Sequence, residues 1–236
     1  MREKFGVIIV AAGRGSRMGT KESKQYLQLA NKPILVHTLE LFQRMDFVEE
    51  IALVVGEQDI ERCKEWAKEY SLSKMTSILS GGKERQHSVV CGLQSLKSEW
   101  VMVHDGVRPL ITEDAVKRCC ERALVSGAAV LAVPVKDTIK QVDEAGTIVA
   151  TPDRKSLWAI QTPQAFRRAL LIEGHECAIR DGFLGTDDAM VVERIGASVV
   201  VVEGEYTNIK ITTPEDLPWA EYLLAQRQVT KGDISK

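Results

Sequence analysis

Two cations, Arg17 and Lys24, stand seven positions apart at the end of a run of small residues, Val10-Ala11-Ala12-Gly13-Arg14-Gly15-Ser16, that follows an apolar stretch from Phe5 to Val10. Glycine and alanine let a backbone pass close to a ligand, and the amides of such a turn can point at anionic oxygens. The chemistry suggested is transfer at a nucleotide phosphate, with side-chain cations meeting the charge. Neither of the common phosphate loops fits. A dinucleotide fingerprint needs a third glycine where Met18 stands, which counts against a hydride-transferring nicotinamide enzyme. A Walker loop needs Gly-Lys-Ser or Gly-Lys-Thr, and Gly19-Thr20-Lys21 inverts that order. A connecting turn without a ligand is the plain alternative, and Arg17 and Lys24 weigh against it.

Three further segments carry residues of the same chemistry. Ser80-Gly81-Gly82-Lys83-Glu84-Arg85-Gln86-His87-Ser88 reads as a glycine turn feeding a helix on which positions 85 and 88 share a face, so Ser88 can meet a ligand. In His104-Asp105-Gly106-Val107-Arg108-Pro109 an aspartate closes a strand beside a glycine, where a carboxylate either holds Mg²⁺ on a phosphate chain or caps a turn. In Asn208-Ile209-Lys210-Ile211-Thr212, Lys210 is a cation in what reads as an apolar strand, free to snorkel or to bind. Thr162-Pro163 and Thr186-Asp187-Asp188 read as capped helix starts, and so does Thr213-Pro214-Glu215-Asp216.

These residues need a frame. Apolar runs at Phe5–Ala11, Ile51–Val55, Ser77–Leu79, Trp100–His104 and Ala128–Val133 predict strands, separated by helical patterns at Glu57–Tyr70, at Glu113–Ser126 and from Asn31 through Phe42. Strand–helix alternation predicts one α/β domain with a mainly parallel sheet, whose ligands sit beyond the carboxyl ends of the strands. Between Pro134 and Ile160 the alternation breaks. Val135–Val142, the Asp143-Glu144-Ala145-Gly146 turn and Thr147–Thr151 predict a protruding β-hairpin arm, about 135–160, that is either a lid or a dimerisation element and carries Thr138 and Arg154. The domain is expected over 1–228, with a polar tail over 229–236.

At 236 residues and 44% hydrophobic content the chain can bury a full core. A net charge of −2 gives no basic footprint for nucleic acid or an anionic membrane. Five cysteines without Cys-x-x-Cys spacing suggest a reducing compartment, the N-terminus leaves no room for a signal segment, and a cytoplasmic protein is expected. The four histidines show no metal-ligand pairing.

The ordered set resembles a known family. Ala11-Ala12-Gly13 to Arg17-Met18-Gly19, Lys24-Gln25-Tyr26, Gly81-Gly82 with Arg85 and Ser88, His104-Asp105 with Arg108-Pro109, Asp137-Thr138, Asp153-Arg154, Thr162-Pro163-Gln164, Thr186-Asp187 and Asn208-Ile209-Lys210 follow the motifs of the 2-C-methyl-D-erythritol 4-phosphate cytidylyltransferases. The resemblance implies a nucleotide-diphospho-sugar transferase-like, Rossmann-like fold and a homodimer whose arms are exchanged into the partner's site. It implies attack of the methylerythritol phosphate on the α-phosphorus of CTP, with Mg²⁺ as cofactor and no Ser, Cys or His nucleophile. Arg17 and Lys24 match its catalytic cations and Asp105 its metal-holding carboxylate. Arg154 and Lys210 match the residues that position the acceptor phosphate, with Thr138, Arg108 and Thr186 as lesser contacts. Ala11, Ala12, Gly13, Gly15, Gly82 and Ser88 match its nucleotide-binding positions. Lys83 stands where some members place an acidic residue, and Gly106-Val107 where many have two small residues, often two alanines. The ribitol 5-phosphate cytidylyltransferases share most of these motifs and are the nearest alternative.

Overall fold

The computed structural model of the chain describes residues 1–13 and 22–233, with side chains as far as residue 227. In chain order it forms β1 (Phe5–Ala11), β2 (Gln28–Leu29), β3 (Lys32–Pro33), α1 (Ile34–Arg44), β4 (Val48–Val55), α2 (Ile60–Glu69), β5 (Met75–Ser80), α3 (Arg85–Ser95) and β6 (Trp100–Asp105). There follow α4 (Glu113–Ser126), β7 (Ala128–Pro134), β8 (Gln141–Val142), β9 (Ile148–Ala150), β10 (Trp158–Arg167), α5 (Arg168–Arg180), α6 (Asp188–Arg194), β11 (Val200–Glu203) and α7 (Asp216–Asp233).

The near-continuous apolar run of β1 is what a strand covered on both faces requires. Phe5, Val7 and Ile9 pack into one hydrophobic cluster with Leu35, Leu39 and Phe42 of α1 and Val116 and Cys119 of α4. Ile8, on the opposite face, joins Val89 and Leu93 of α3 and Leu171 of α5. Strand alternation thus sorts one sequence into two cores. Seven strands form the sheet in the order β11-β7-β10-β6-β1-β4-β5. Only β10 runs antiparallel to its neighbours, β6 and β7. The expected α/β architecture with a mainly parallel sheet is therefore the observed one.

Register brings the functional ends together. Val10 lies opposite Asp105, Ala11 opposite Val55, and Val55 opposite Ser80, so β6, β1, β4 and β5 end along one edge. The helices that follow are fixed by their caps: Thr112 accepts from Ala115 N at the start of α4, Gly127 closes it at φ +83°, and Glu84 and His87 form a reciprocal capping box on α3.

Several expectations are corrected. Asn31 does not begin a helix. With Ala30 it sits at positive φ in the tight turn joining β2 to β3, a conformation asparagine tolerates, and α1 begins at Ile34. Thr162-Pro163 lies inside β10 rather than at a helix start. The β10–β7 pairing shifts register between Ile160 and Gln164, so Pro163 falls where no ladder donor is needed. Asp187, not Thr186, caps α6, accepting from Met190 N at 3.0 Å. Asn208–Thr212 is not a strand, and β11 precedes it. The paired part of the expected hairpin is short, Gln141–Val142 against Ile148–Ala150, and the chain rejoins the main sheet at Trp158. Helix α7 runs to Asp233, beyond the expected start of a tail at Val229.

Candidate active site

A cleft opens where β1, β5 and β6 end, lined by Ala11, Ala12, Gly13, Lys24, Gly82, Lys83, Arg85, Ser88, Asp105, Val107 and Lys210 among others. Its walls are built from small residues in close approach. A Cβ on Gly81 would strike the Cβ of Ala12 and come within 2.8 Å of Ser88 Oγ, and one on Gly82 would strike the Cβ of His87. Ser88 Oγ accepts from Gly82 N at 3.2 Å and donates to Glu84 O at 3.2 Å, tying the glycine turn to the first turn of α3. On the other wall buried Gln25 donates through Nε2 to Ala11 O at 2.7 Å and Gly13 O at 3.2 Å, so the segment carrying Lys24 holds the loop after β1.

Asp105 is the electrostatic centre of the floor. Lys210 Nζ lies 2.9 Å from Oδ2, Arg85 Nε 3.3 Å from Oδ1 and Arg108 Nε 3.5 Å from Oδ2. Burial alone would raise its pKa, but Arg85, Lys210 and Arg108 outweigh burial and hold the carboxyl well below the usual carboxylate range. A chain of hydrogen bonds fixes the backbone beneath. Asp105 N donates to Thr162 Oγ1 at 3.1 Å, leaving that hydroxyl to donate to His104 Nδ1 at 3.1 Å, and His104 Nε2–H then reaches Arg108 O at 3.2 Å. Burial pushes the His104 pKa down to about 4, so the imidazole is neutral, as this chain requires.

Lys210 and Arg108 come together through the segment after β11. The side-chain amide of buried Asn208 donates to Thr162 O at 2.9 Å and Gln161 Oε1 at 3.1 Å, while its backbone carbonyl accepts from Arg108 Nη1 at 2.7 Å. Behind the cleft, Arg85 Nη1 also lies 2.8 Å from Oδ2 of Asp188, which is 1% exposed, in an ion pair off the hydrogen-bond line.

The fold thus gathers Ala11, Ala12, Gly13, Lys24, Gly82, Ser88, Asp105 and Lys210 at one cleft, with Arg108 against Asp105. Three expected residues stand apart from it within a single chain. Thr138 is exposed, Arg154 is exposed and donates to Lys136 O at 2.7 Å, and Thr186 is exposed with its hydroxyl on Met190 Sδ at 3.1 Å. Gly15 and Arg17 lie outside the described residues. Gln25, Arg85, Asn208 and Asp188 take structural parts in the site that residue type alone did not assign. Gln25, Arg85 and Asn208 fall within the matched motifs, whereas the partnership of Asp188 with Arg85 depends on a contact between helices and has no signal along the chain.

Residues 5–226 match the family model described as 2-C-methyl-D-erythritol 4-phosphate cytidylyltransferase. The chain is 47% identical over 226 residues to the protein of that name from Halalkalibacterium halodurans, covering 95% of this chain and 99% of that one. It is 48% identical over 228 residues to the namesake from Alkaliphilus metalliredigens, covering 95% of each. Among solved structures, 4-diphosphocytidyl-2C-methyl-D-erythritol synthase from Anaerococcus prevotii is similar with a TM-score of 0.83 at 32% identity, covering 94% of this chain and 99% of that one. The Thermus thermophilus cytidylyltransferase gives 0.78 at 33%, covering 93% and 98%.

Proposed function

The chain belongs to the 2-C-methyl-D-erythritol 4-phosphate cytidylyltransferase family, and from that premise we propose how its cleft moves CMP from CTP to 2-C-methyl-D-erythritol 4-phosphate. An oxygen of the acceptor phosphate attacks the α-phosphorus of CTP in line; the new P–O bond forms as the bond to pyrophosphate breaks, leaving 4-diphosphocytidyl-2-C-methyl-D-erythritol. The substrate supplies the nucleophile, so the protein's work is to bring two polyanions together and stabilise the charge that builds on a crowded phosphorus. Arg17 and Lys24 meet that charge. The loops at Ala11–Gly13 and Gly82, with Gly15 and Ser88, receive the nucleotide; the exocyclic amine of cytosine, a donor, wants a backbone acceptor there. Lys210 and Arg108, with Thr186, Thr138 and Arg154, hold the acceptor phosphate, Thr138 and Arg154 reaching it from a partner's arm in a cytoplasmic homodimer whose catalytic domain spans 1–228.

The observation that supports this most directly is the buried carboxylate of Asp105, facing a cleft of close-packed small residues and ringed by Lys210, Arg85 and Arg108. It also fits Mg²⁺. Such sites commonly take one or two carboxylates and complete the shell with substrate phosphate and water, and no cluster of three His, Cys, Asp or Glu side chains occurs among the described residues. Bound by Asp105 and the phosphate chain, Mg²⁺ would neutralise charge on the phosphates. The arm carries Val142, Ile148 and Val149 with more than half of their surface exposed, which supports its use against a second chain.

The test is pyrophosphate release with Mg²⁺, CTP or UTP being set against methylerythritol 4-phosphate or ribitol 5-phosphate. Release is expected with CTP and methylerythritol phosphate alone. Release only with ribitol phosphate would move the acceptor assignment, and none with any pair would end the proposal.

A further inference from the structure

Asp188 is a buried carboxylate that the transfer itself does not use. It begins α6 and pairs with Arg85, the first residue of α3, across the gap between the two helices. Its other neighbour is His175 of α5, whose Nε2 is 3.9 Å from Asp188 Oδ1. Burial lowers the His175 pKa, so that ring is neutral near pH 7 and Arg85 is the full positive charge facing Asp188. Arg85 consequently bridges two carboxylates, Asp188 at 2.8 Å and Asp105 at 3.3 Å, with the shorter contact on the side away from the cleft.

Resting on the reading of Asp105 given above, we propose that Asp188 is a positioning residue that keeps Arg85 from closing on Asp105 and so leaves that carboxylate available to a divalent cation. Three cations already share Asp105, and a fourth positive partner must compete with them. Arg85, partly exposed, has a second anion at its back, so it can yield Asp105 without being left unpaired in a partly buried place, which is destabilising. With Asp188 neutralised, the guanidinium would have Asp105 as its one carboxylate partner within ion-pair distance among the described residues and would hold it against the metal.

Mn²⁺ binding to the full-length protein saturated with CTP, read from the electron paramagnetic resonance of the free ion, tests this without turnover. Asp188→Asn should weaken Mn²⁺ binding on the order of tenfold and raise the Mg²⁺ needed for half-maximal pyrophosphate release by a similar factor. Asp188→Glu, which restores the charge, should recover most of the loss. The double variant Asp188→Asn/Arg85→Gln removes both the competitor and its holder, and should bind Mn²⁺ at least as well as the unaltered protein. It also serves as the deciding measurement if Asp188→Asn alone does not fold. An unchanged Mn²⁺ curve in a folded Asp188→Asn protein, or weakened binding that persists in the double variant, would overturn the proposal. Failure of the unaltered protein to release pyrophosphate would instead count against the catalytic reading, because the Mn²⁺ comparison needs only CTP.

Discussion

Lys24 lies on the same cleft as Asp105, in the segment whose neighbour Gln25 holds the loop after β1. If it meets charge that develops only in the transition state, its removal must appear in kcat. Lys24→Ala is expected to lower kcat on the order of 10²-fold, about 3 kcal/mol, with KM for CTP little changed, and Arg17→Ala to do the same. Steady-state kinetics decides, and a loss confined to KM would assign both cations to ground-state binding. His104 carries a prediction about stability. Its pKa falls from 6.5 to about 4 through burial, so in that interval the unfolded chain binds a proton that the folded one refuses. The stabilisation is therefore complete above about pH 6.5 and lost as pH falls toward 4, about 3 kcal/mol in all. Urea unfolding at pH 7 and pH 4.5 should show the decline, and His104→Gln, though weaker at pH 7 for want of the Arg108 and Thr162 bonds, should show a shallower one.

At the scale of elements, the glycine turn after β5 makes the sharpest demand on residue size. Gly81→Ala would push its new methyl into Ala12 and Ser88, parting the two cleft walls. Overpacking of this kind costs about 1–3 kcal/mol. A fall in melting temperature with a rise in KM for CTP is expected, and an unaltered KM would show that the walls need not touch. The elements also differ in how plainly the sequence announces them. Both β1, buried on two faces, and α4, bounded by Thr112 and Gly127, are legible because pattern and caps agree. Pro163 and Lys210 mislead because their surroundings are tertiary: a register shift in β10 makes room for the proline, and the loop after β11 is held by Asn208 to Thr162 rather than by a strand ladder. The site shows the same division. Ala11–Gly13, Gly82, Ser88 and Asp105 follow strands read correctly, so their convergence is legible, while the Arg85–Asp188 bridge joins two helix starts far apart in sequence.

At the scale of the molecule, one chain leaves its own site incomplete on the proposed reading, because Arg154 sits in the turn between β9 and β10 with its guanidinium on Lys136 O, apart from the cleft. If the arm is exchanged, each site takes Arg17 from one chain and Arg154 from the other. This arrangement has an arithmetic that a cis site cannot imitate. Arg17→Ala and Arg154→Ala homodimers should each be nearly inactive. A heterodimer of the two has one site bearing both lesions and one bearing neither, whereas with cis sites each site keeps one lesion. Subunits mixed in equal amounts and allowed to exchange at random form about half heterodimers, so about a quarter of all sites should be intact and pyrophosphate release should recover to about a quarter of the unaltered rate. Light scattering at micromolar concentration must show the dimer for the count to apply. No recovery after demonstrated exchange would return Arg154 to its own chain, and a fully active monomer would remove the partner's arm from the site.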